Sequence, residues 1–293
     1  MIATAVNGFF MALADSVPGV SGGTIALILG FYDQFIGAVH GLIYGGKEEK
    51  KRALFYLLKL GVGWGAGMVL AVLVLTSFFE KNIYAVSSVF LGFVLFSIPV
   101  IVREEWACVR GRWNYVPFVL LGTALVVLLA YTNSRLGTSF GDLSHLTVAS
   151  GIYIFVSGLA AVTAMFLPGI SGSTILLIFG VYVPVLEAVK ELLHLNLRYL
   201  PTILVFACGV LAGAVTAVKG IRVCLERFRS QTVYLIIGML CGSLYAIVLG
   251  PTTLDRSNTP LFPGRFSLLF FLVGAAVILL IQGLRMYREK RKR

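Results

Sequence analysis

Residues Val17–Tyr32, VPGVSGGTIALILGFY, return at Leu167–Tyr182 as LPGISGSTILLIFGVY. A shift of 150 aligns the two stretches, and ten of the sixteen positions are identical. Each copy carries Pro-Gly-x-Ser-Gly inside an otherwise apolar run. Proline lacks the amide donor that a helix interior uses, and glycine costs about 1 kcal/mol there relative to alanine. Each copy is therefore expected to unwind a helix. Beyond the motif, a shift of 146 pairs Gly63 and Gly67 with Gly209 and Gly213, and Gly92 with Gly238. The chain reads as a tandem duplication with its boundary near residues 132 to 146.

The setting of these breaks is a bilayer. Of 293 residues, 58% are hydrophobic and only 13% charged, with a mean hydropathy of +0.94. At about 20 apolar residues per crossing, no stretch remains for an aqueous catalytic domain. The expected fold is an all-α polytopic membrane protein. Ordinary spans are read at Ala53–Phe79, Ile83–Val102, Tyr115–Tyr131, Thr147–Phe166, Leu200–Val218, Thr232–Leu249 and Ser267–Leu284. MIATAVNGFF at the start lacks a basic n-region, so no removable signal peptide is expected. Cys108, Cys208, Cys224 and Cys241 have neither disulfide-framework nor metal-ligand spacing, and His40, His145 and His194 have no metal spacing. The net charge of +11 sits in loops rather than in one patch, which argues against a nucleic-acid partner.

Those loops set the orientation, because basic loops stay cytoplasmic. Lys and Arg number four in 47–52, three in 103–112, four in 219–229 and six in 285–293. The opposite set carries Lys81, Arg135, Lys190, Arg198, Arg256 and Arg265, and Lys59 falls inside a span. Both termini are thus expected inside. Three crossings separate the two breaks, and an odd number inverts the second copy. The first repeat, 1–131, would be a re-entrant broken-helix hairpin (1–44) followed by spans 53–79, 83–102 and 115–131. An extracytoplasmic linker, 132–146, leads to the inverted second repeat, 147–284, with hairpin 147–193 and spans 200–218, 232–249 and 267–284. A basic cytoplasmic tail, 285–293, closes the chain.

Broken helices at corresponding positions of inverted halves point to a transporter's binding site. Unwound backbone at membrane depth is tolerated only where protein or a cavity surrounds it. Half-helices restarting at Thr24 and Thr174 would turn free N–H groups and a positive dipole end towards that cavity, which suits an anion. Gly19, Gly22, Gly23, Gly169 and Gly172 would admit close backbone approach, and Ser21, Thr24, Ser171, Ser173 and Thr174 would add hydroxyl donors.

The run ADSVPGVSGGTIALILGFY (14–32) and its echo FLPGISGSTILLIFGVY (166–182) resemble the PopT-type polyprenyl-phosphate transporter family. The resemblance implies flipping of undecaprenyl phosphate from the outer to the inner leaflet of a bacterial plasma membrane, recycling the carrier lipid for cell-wall synthesis. Its motif carries over onto Asp15 to Thr24 and Pro168 to Thr174. The second copy departs from it at Met165 and Phe166, which replace Asp15 and Ser16. Such a substrate fits the residues, since only the phosphate of a prenyl lipid needs a polar route through hydrocarbon.

Ionisable residues near the breaks are candidates for coupling or counter-charge. Asp15 precedes the first break and is read as a proton or cation site or as a helix cap. Asp33 and Glu187 are placed on the helices that follow the breaks. Lys59 is read as a counter-charge to phosphate or as a snorkelling interfacial cation. No cofactor is expected beyond a coupling ion, H+ or Na+. A small-anion channel or exchanger with Gly-Ser loops at helix N-termini is the alternative. An intramembrane serine protease using Ser21 or Ser171 would need a histidine on a facing span, and none is present there.

Overall fold

A computed structural model describes residues 2–15, 21–70, 76–136, 147–193, 196–254, 259–262 and 264–290. It is all-helical, with no strand among the described residues. The helices are α1 (Ile2–Asp15), α2 (Gly22–Ile28), α3 (Tyr32–Tyr44), α4 (Lys47–Leu70), α5 (Thr76–Glu104), α6 (Trp106–Val109) and α7 (Val116–Leu136). They continue as α8 (Val148–Phe166), α9 (Gly172–Ile178), α10 (Tyr182–Leu193), α11 (Leu200–Arg227), α12 (Arg229–Leu254) and α13 (Leu268–Lys290). Among the described residues six helices are long and apolar enough to cross a membrane, and Leu268–Leu280 is apolar but shorter. The protein is a polytopic membrane protein.

Helix ends differ from the hydropathy blocks in an understandable way. The basic run 47–52 is the first turns of α4 rather than a loop, and α11 continues through its charged end to Arg227. Hydropathy marks where side chains leave hydrocarbon, and a helix has no reason to stop there. The apolar block 53–79 is divided, since α4 ends at Leu70 and Thr76 already belongs to α5. A non-helical Asn82 kinks α5 near its start.

Each break is followed by a very short helix. α2 and α9 have seven residues apiece and stop in the same way. Gly30 (φ +68°) and Gly180 (φ +69°) take the left-handed conformation that glycine adopts without steric cost. Around them Gly30 N–H donates to Leu27 O and Phe31 N–H to Ala26 O, while Gly180 donates to Leu177 O and Val181 to Leu176 O. This paired closure is the Schellman arrangement. It starts α3 and α10 as separate helices, which the sequence reading had run together with α2 and α9.

Packing is organised by glycines that let backbones touch. α1 lies on α4 and α8 on α11, while α5 lies on α13 and α7 on α12. A Cβ on Gly63 would run into the Ala5 carbonyl, and one on Gly209 into the Phe155 carbonyl. Gly67 faces Phe9 as Gly213 faces Leu159, each with its added Cβ 2.6 Å from the carbonyl oxygen. Gly92 abuts Phe271 as Gly238 abuts Val119. Without a hydrophobic force between helices in lipid, such close van der Waals contact is what holds them.

Gly63→Ala and Gly209→Ala should each destabilise by about 1 to 3 kcal/mol, the range for forced overpacking. Gly61→Ala and Gly65→Ala, where an added Cβ meets nothing, should be neutral or slightly stabilising through helix propensity. Thermal unfolding of the four variants in detergent reads the contrast.

Candidate functional site

Two broken segments far apart in the chain meet in the interior. Thr24 Oγ1 accepts from Gly169 N–H at 2.8 Å, and Ser21 Oγ donates to Leu167 O at 3.4 Å. Tyr32 OH donates to Phe166 O at 2.8 Å, satisfying a carbonyl at the end of α8. Gly23 lies so close that an added Cβ would be 3.1 Å from Met165 O and 3.3 Å from Leu167 O and Phe166 O. Ser21 and Thr24 are each 1% exposed and Ser171 is 7% exposed, so the junction is closed. Gly169 (φ +87°) needs to be glycine for its backbone turn.

At the first break, amide donors expected to be free are engaged. α2 restarts at Gly22, two residues before Thr24, and α9 at Gly172. Ser21 accepts from Thr24 N–H at 3.2 Å as its cap. Asp15 closes the turn from the other side, accepting from Gly22 N–H at 2.6 Å and from Trp64 Nε1–H at 3.1 Å. Both partners are donors, the pair a carboxylate accepts. The glycine at 22 serves this local contact, since a Cβ there would be 2.5 Å from Met11 Cγ and 2.8 Å from Asp15 Oδ2. Room expected for a ligand is thus filled by side chains of α1. Gly172 matches it, facing Met165 and the Ala161 carbonyl. Ser171 makes no cap; its hydroxyl bonds Ser173 at 2.7 Å. Thr174 is half-buried in the same first turn. Gly19, the remaining expected phosphate contact, lies outside the described residues.

Of the four ionisable candidates only Asp15 reaches the junction. Asp33 follows the Gly30 stop and so diverges on α3 to an exposed position 3.4 Å from Arg229. Arg229 also holds Glu105 through two contacts, 2.6 and 3.0 Å. Glu187 is exposed on α10. Lys59, half-buried, borders a cleft with Lys51 and Arg52 near Thr4, away from the break.

Trp64 and a neighbouring groove were not singled out in the sequence. Trp64 lies on the glycine-lined face of α4, one residue beyond Gly63, and that position was the available signal. The groove, about 190 Å³, is lined entirely by apolar side chains, among them Phe10, Ala14, Ile25, Phe90, Phe93 and Val277. Ala14 and Ile25 of its lining are the chain neighbours of Asp15 and Thr24, so α1 and α2 carry both the groove and the first side of the junction.

Residues 11–260 match the family model described as VCA0040-like, undecaprenyl phosphate translocase-like. The chain belongs to this family. A Staphylococcus aureus protein named polyprenyl-phosphate transporter is 32% identical over 252 residues, covering 85% of this chain and 86% of its own. A Vibrio cholerae protein of the same name is 29% identical over 319 residues, covering 99% and 97% respectively. No solved structure matches. The segment matched to the translocase-like family runs from α1 past α12 and contains both breaks, Asp15 and Trp64.

Removing the indole donor with Trp64→Phe should cost about 1.5 to 3 kcal/mol, the range for a hydrogen bond to a charged group. Combined with Asp15→Asn the losses should fall short of additive by about 0.5 to 3 kcal/mol. Strict additivity in a double-mutant unfolding cycle would show that the contact does not hold the break.

Proposed function

We propose that this protein carries undecaprenyl phosphate from the outer to the inner leaflet of a bacterial plasma membrane, recycling the carrier lipid for cell-wall synthesis. The observation that carries this reading is that α1 and α2 carry both a polar junction and an apolar groove. A small anion needs only the former; a prenyl phosphate needs both, with its headgroup at the breaks and its chain in the groove. The names of the two relatives and of the family support the same substrate class.

In this reading the halves are inverted repeats with both termini cytoplasmic, and they rock about the junction to admit the headgroup from each leaflet in turn. The glycine contacts occur in matched pairs in the two halves, which supports an internal symmetry. The described state is occluded. Opening parts Thr24 from Gly169 and Ser21 from Leu167, releasing the hydroxyls and the Gly169 N–H to a phosphate, with Ser171, Ser173 and Thr174 on the facing side. Gly23, which lies against the carbonyls of residues 165–167, keeps bulk away from that path.

The test is leaflet exchange of labelled undecaprenyl phosphate in proteoliposomes beside chloride flux in the same vesicles. Exchange without chloride flux is expected. Val277→Trp, which fills the groove from its half-exposed side, should cut exchange by about tenfold while leaving the unfolding temperature unchanged, tenfold being about 1.4 kcal/mol of lost chain binding. Chloride flux without lipid exchange would favour the small-anion channel or exchanger.

Asp15 is the proposed coupling site for H+ or Na+. Asp15→Asn should keep or tighten lipid-phosphate binding by removing a like charge, and should abolish the dependence of exchange on pH or sodium. If Asp15 only caps the turn, asparagine caps equally well, and exchange should keep its wild-type profile across pH and sodium.

A further inference from the structure

We propose that the cleft between the start of α1 and the first turns of α4 is a second anion site, separate from the junction, for the headgroup of a lipid phosphate monoester. The cleft holds about 410 Å³ and is bordered by Thr4, Glu48, Lys51, Arg52, Tyr56 and Lys59. The α4 residues recur at three- and four-residue spacing, so they share one helix face. Gly63 and Gly67 continue that face upward and press against α1. Below them the side chains become large, and the face opens into the cleft.

Its chemistry suits an anion. None of Lys51, Arg52 and Lys59 forms an ion pair among the described residues. Tyr56 also lines the cleft, with its hydroxyl buried and without a hydrogen-bond partner. Thr4 adds a hydroxyl in the first turn of α1, where leading amide groups have no partner within the helix. Three cations against Glu48 leave two positive charges. A phosphate monoester carries about −1.5 to −2 at neutral pH and matches them, whereas the single charge of a phosphodiester does not.

Position argues for a lipid-borne phosphate. Thr4 lies about 16 Å along α1 from Asp15 at 1.5 Å per residue, near half the thickness of a hydrocarbon core of about 30 Å. With Asp15 at mid-depth, the cleft stands at headgroup level. Exposed Phe55, Leu58 and Val62 continue up the outer side of α4 and offer the chain an apolar wall. The identification of this lipid with the transported one rests on the function proposed above; the site itself stands on its own residues.

A polyprenyl monophosphate with a diazirine beside its headgroup, added to the full-length protein in phosphatidylcholine nanodiscs, tests this by peptide mapping. Labelling is expected on residues 51–59 and at the start of α1. The Lys51→Gln, Arg52→Gln, Lys59→Gln variant should lose about tenfold or more of it, while Lys47→Gln with Lys50→Gln on the same helix should not. Should the triple variant fail to fold, Lys59→Gln alone carries the test, with Lys59→Arg expected to retain labelling. Unchanged labelling in the folded variant overturns the proposal. So does equal competition by inorganic phosphate, which indicates a free-ion site, or by phosphatidylglycerol, which indicates any anionic lipid. Lost transport with intact labelling counts against the proposed function and leaves this site standing; lost labelling with intact transport counts against the site alone.

Discussion

The hydrogen bond from Gly169 N–H to Thr24 Oγ1 meets the constraint on which the rest of the structure depends. Inside a bilayer each unpaired backbone group costs several kcal/mol, so a helix can break at depth only where protein supplies partners. Here the partners come from the other half. Thr24 takes the Gly169 amide, Tyr32 serves the Phe166 carbonyl and Ser21 reaches Leu167. A Pro-Gly-x-Ser-Gly break that would be intolerable alone is satisfied because Ser21, Thr24 and Tyr32 of the first copy lie against it.

That mutual satisfaction demands close approach, and the glycines deliver it at every scale. Gly23 lets α2 lie against the carbonyls of residues 165–167. Gly63, Gly67, Gly209 and Gly213 bring α1 onto α4 and α8 onto α11, so the hairpin arms are fixed to long helices. Gly92 and Gly238 clamp α5 to α13 and α12 to α7. These contacts carry little directional information individually. Their effect is to hold two short, strained segments at one place, which hydrophobic burial cannot do in lipid.

The parts legible in the sequence were those encoded locally or by period. Proline and glycine announce helix breaks, and the glycines whose register marked the duplication prove to be where helices touch backbone to backbone. Hydropathy marked apolar helices but not their ends, because α4 and α11 continue into charged turns. The stops at Gly30 and Gly180 were readable as glycines after short apolar runs, yet uninterrupted hydropathy masked them, and Asp33 was carried to the wrong neighbourhood. Its partner Arg229 lies nearly two hundred positions away, as does no feature of local pattern. Trp64 was unreadable for the same reason: its role is defined by where α1 packs. Asp15 was legible as important, but its seat on the Gly22 amide needed coordinates, and that seat removes one of the donors expected to be free.

The two halves share a backbone plan and divide its chemistry unequally. Asp15 and Met165 occupy the same place against Gly22 and Gly172. A carboxylate accepts the Gly22 amide there, whereas a thioether is only a weak acceptor. Ser21 caps α2, but Ser171 turns to Ser173 and leaves α9 without a side-chain cap. The first break is therefore held from within its own half, through Asp15, Trp64 and Ser21. The second, among the described residues, is held largely by Thr24, Ser21 and Tyr32 of the first. A junction built this way has one firm side and one dependent side. In the proposed opening, parting the two broken segments takes polar partners from the second break while the first keeps its own, and the group it frees for an anion is the Gly169 amide. An oxyanion with several acceptor oxygens can replace Thr24 at the Gly169 amide and engage Ser171 and Ser173; an apolar chain alone cannot. Under the proposed function, asymmetry between the copies would make opening depend on a polar headgroup.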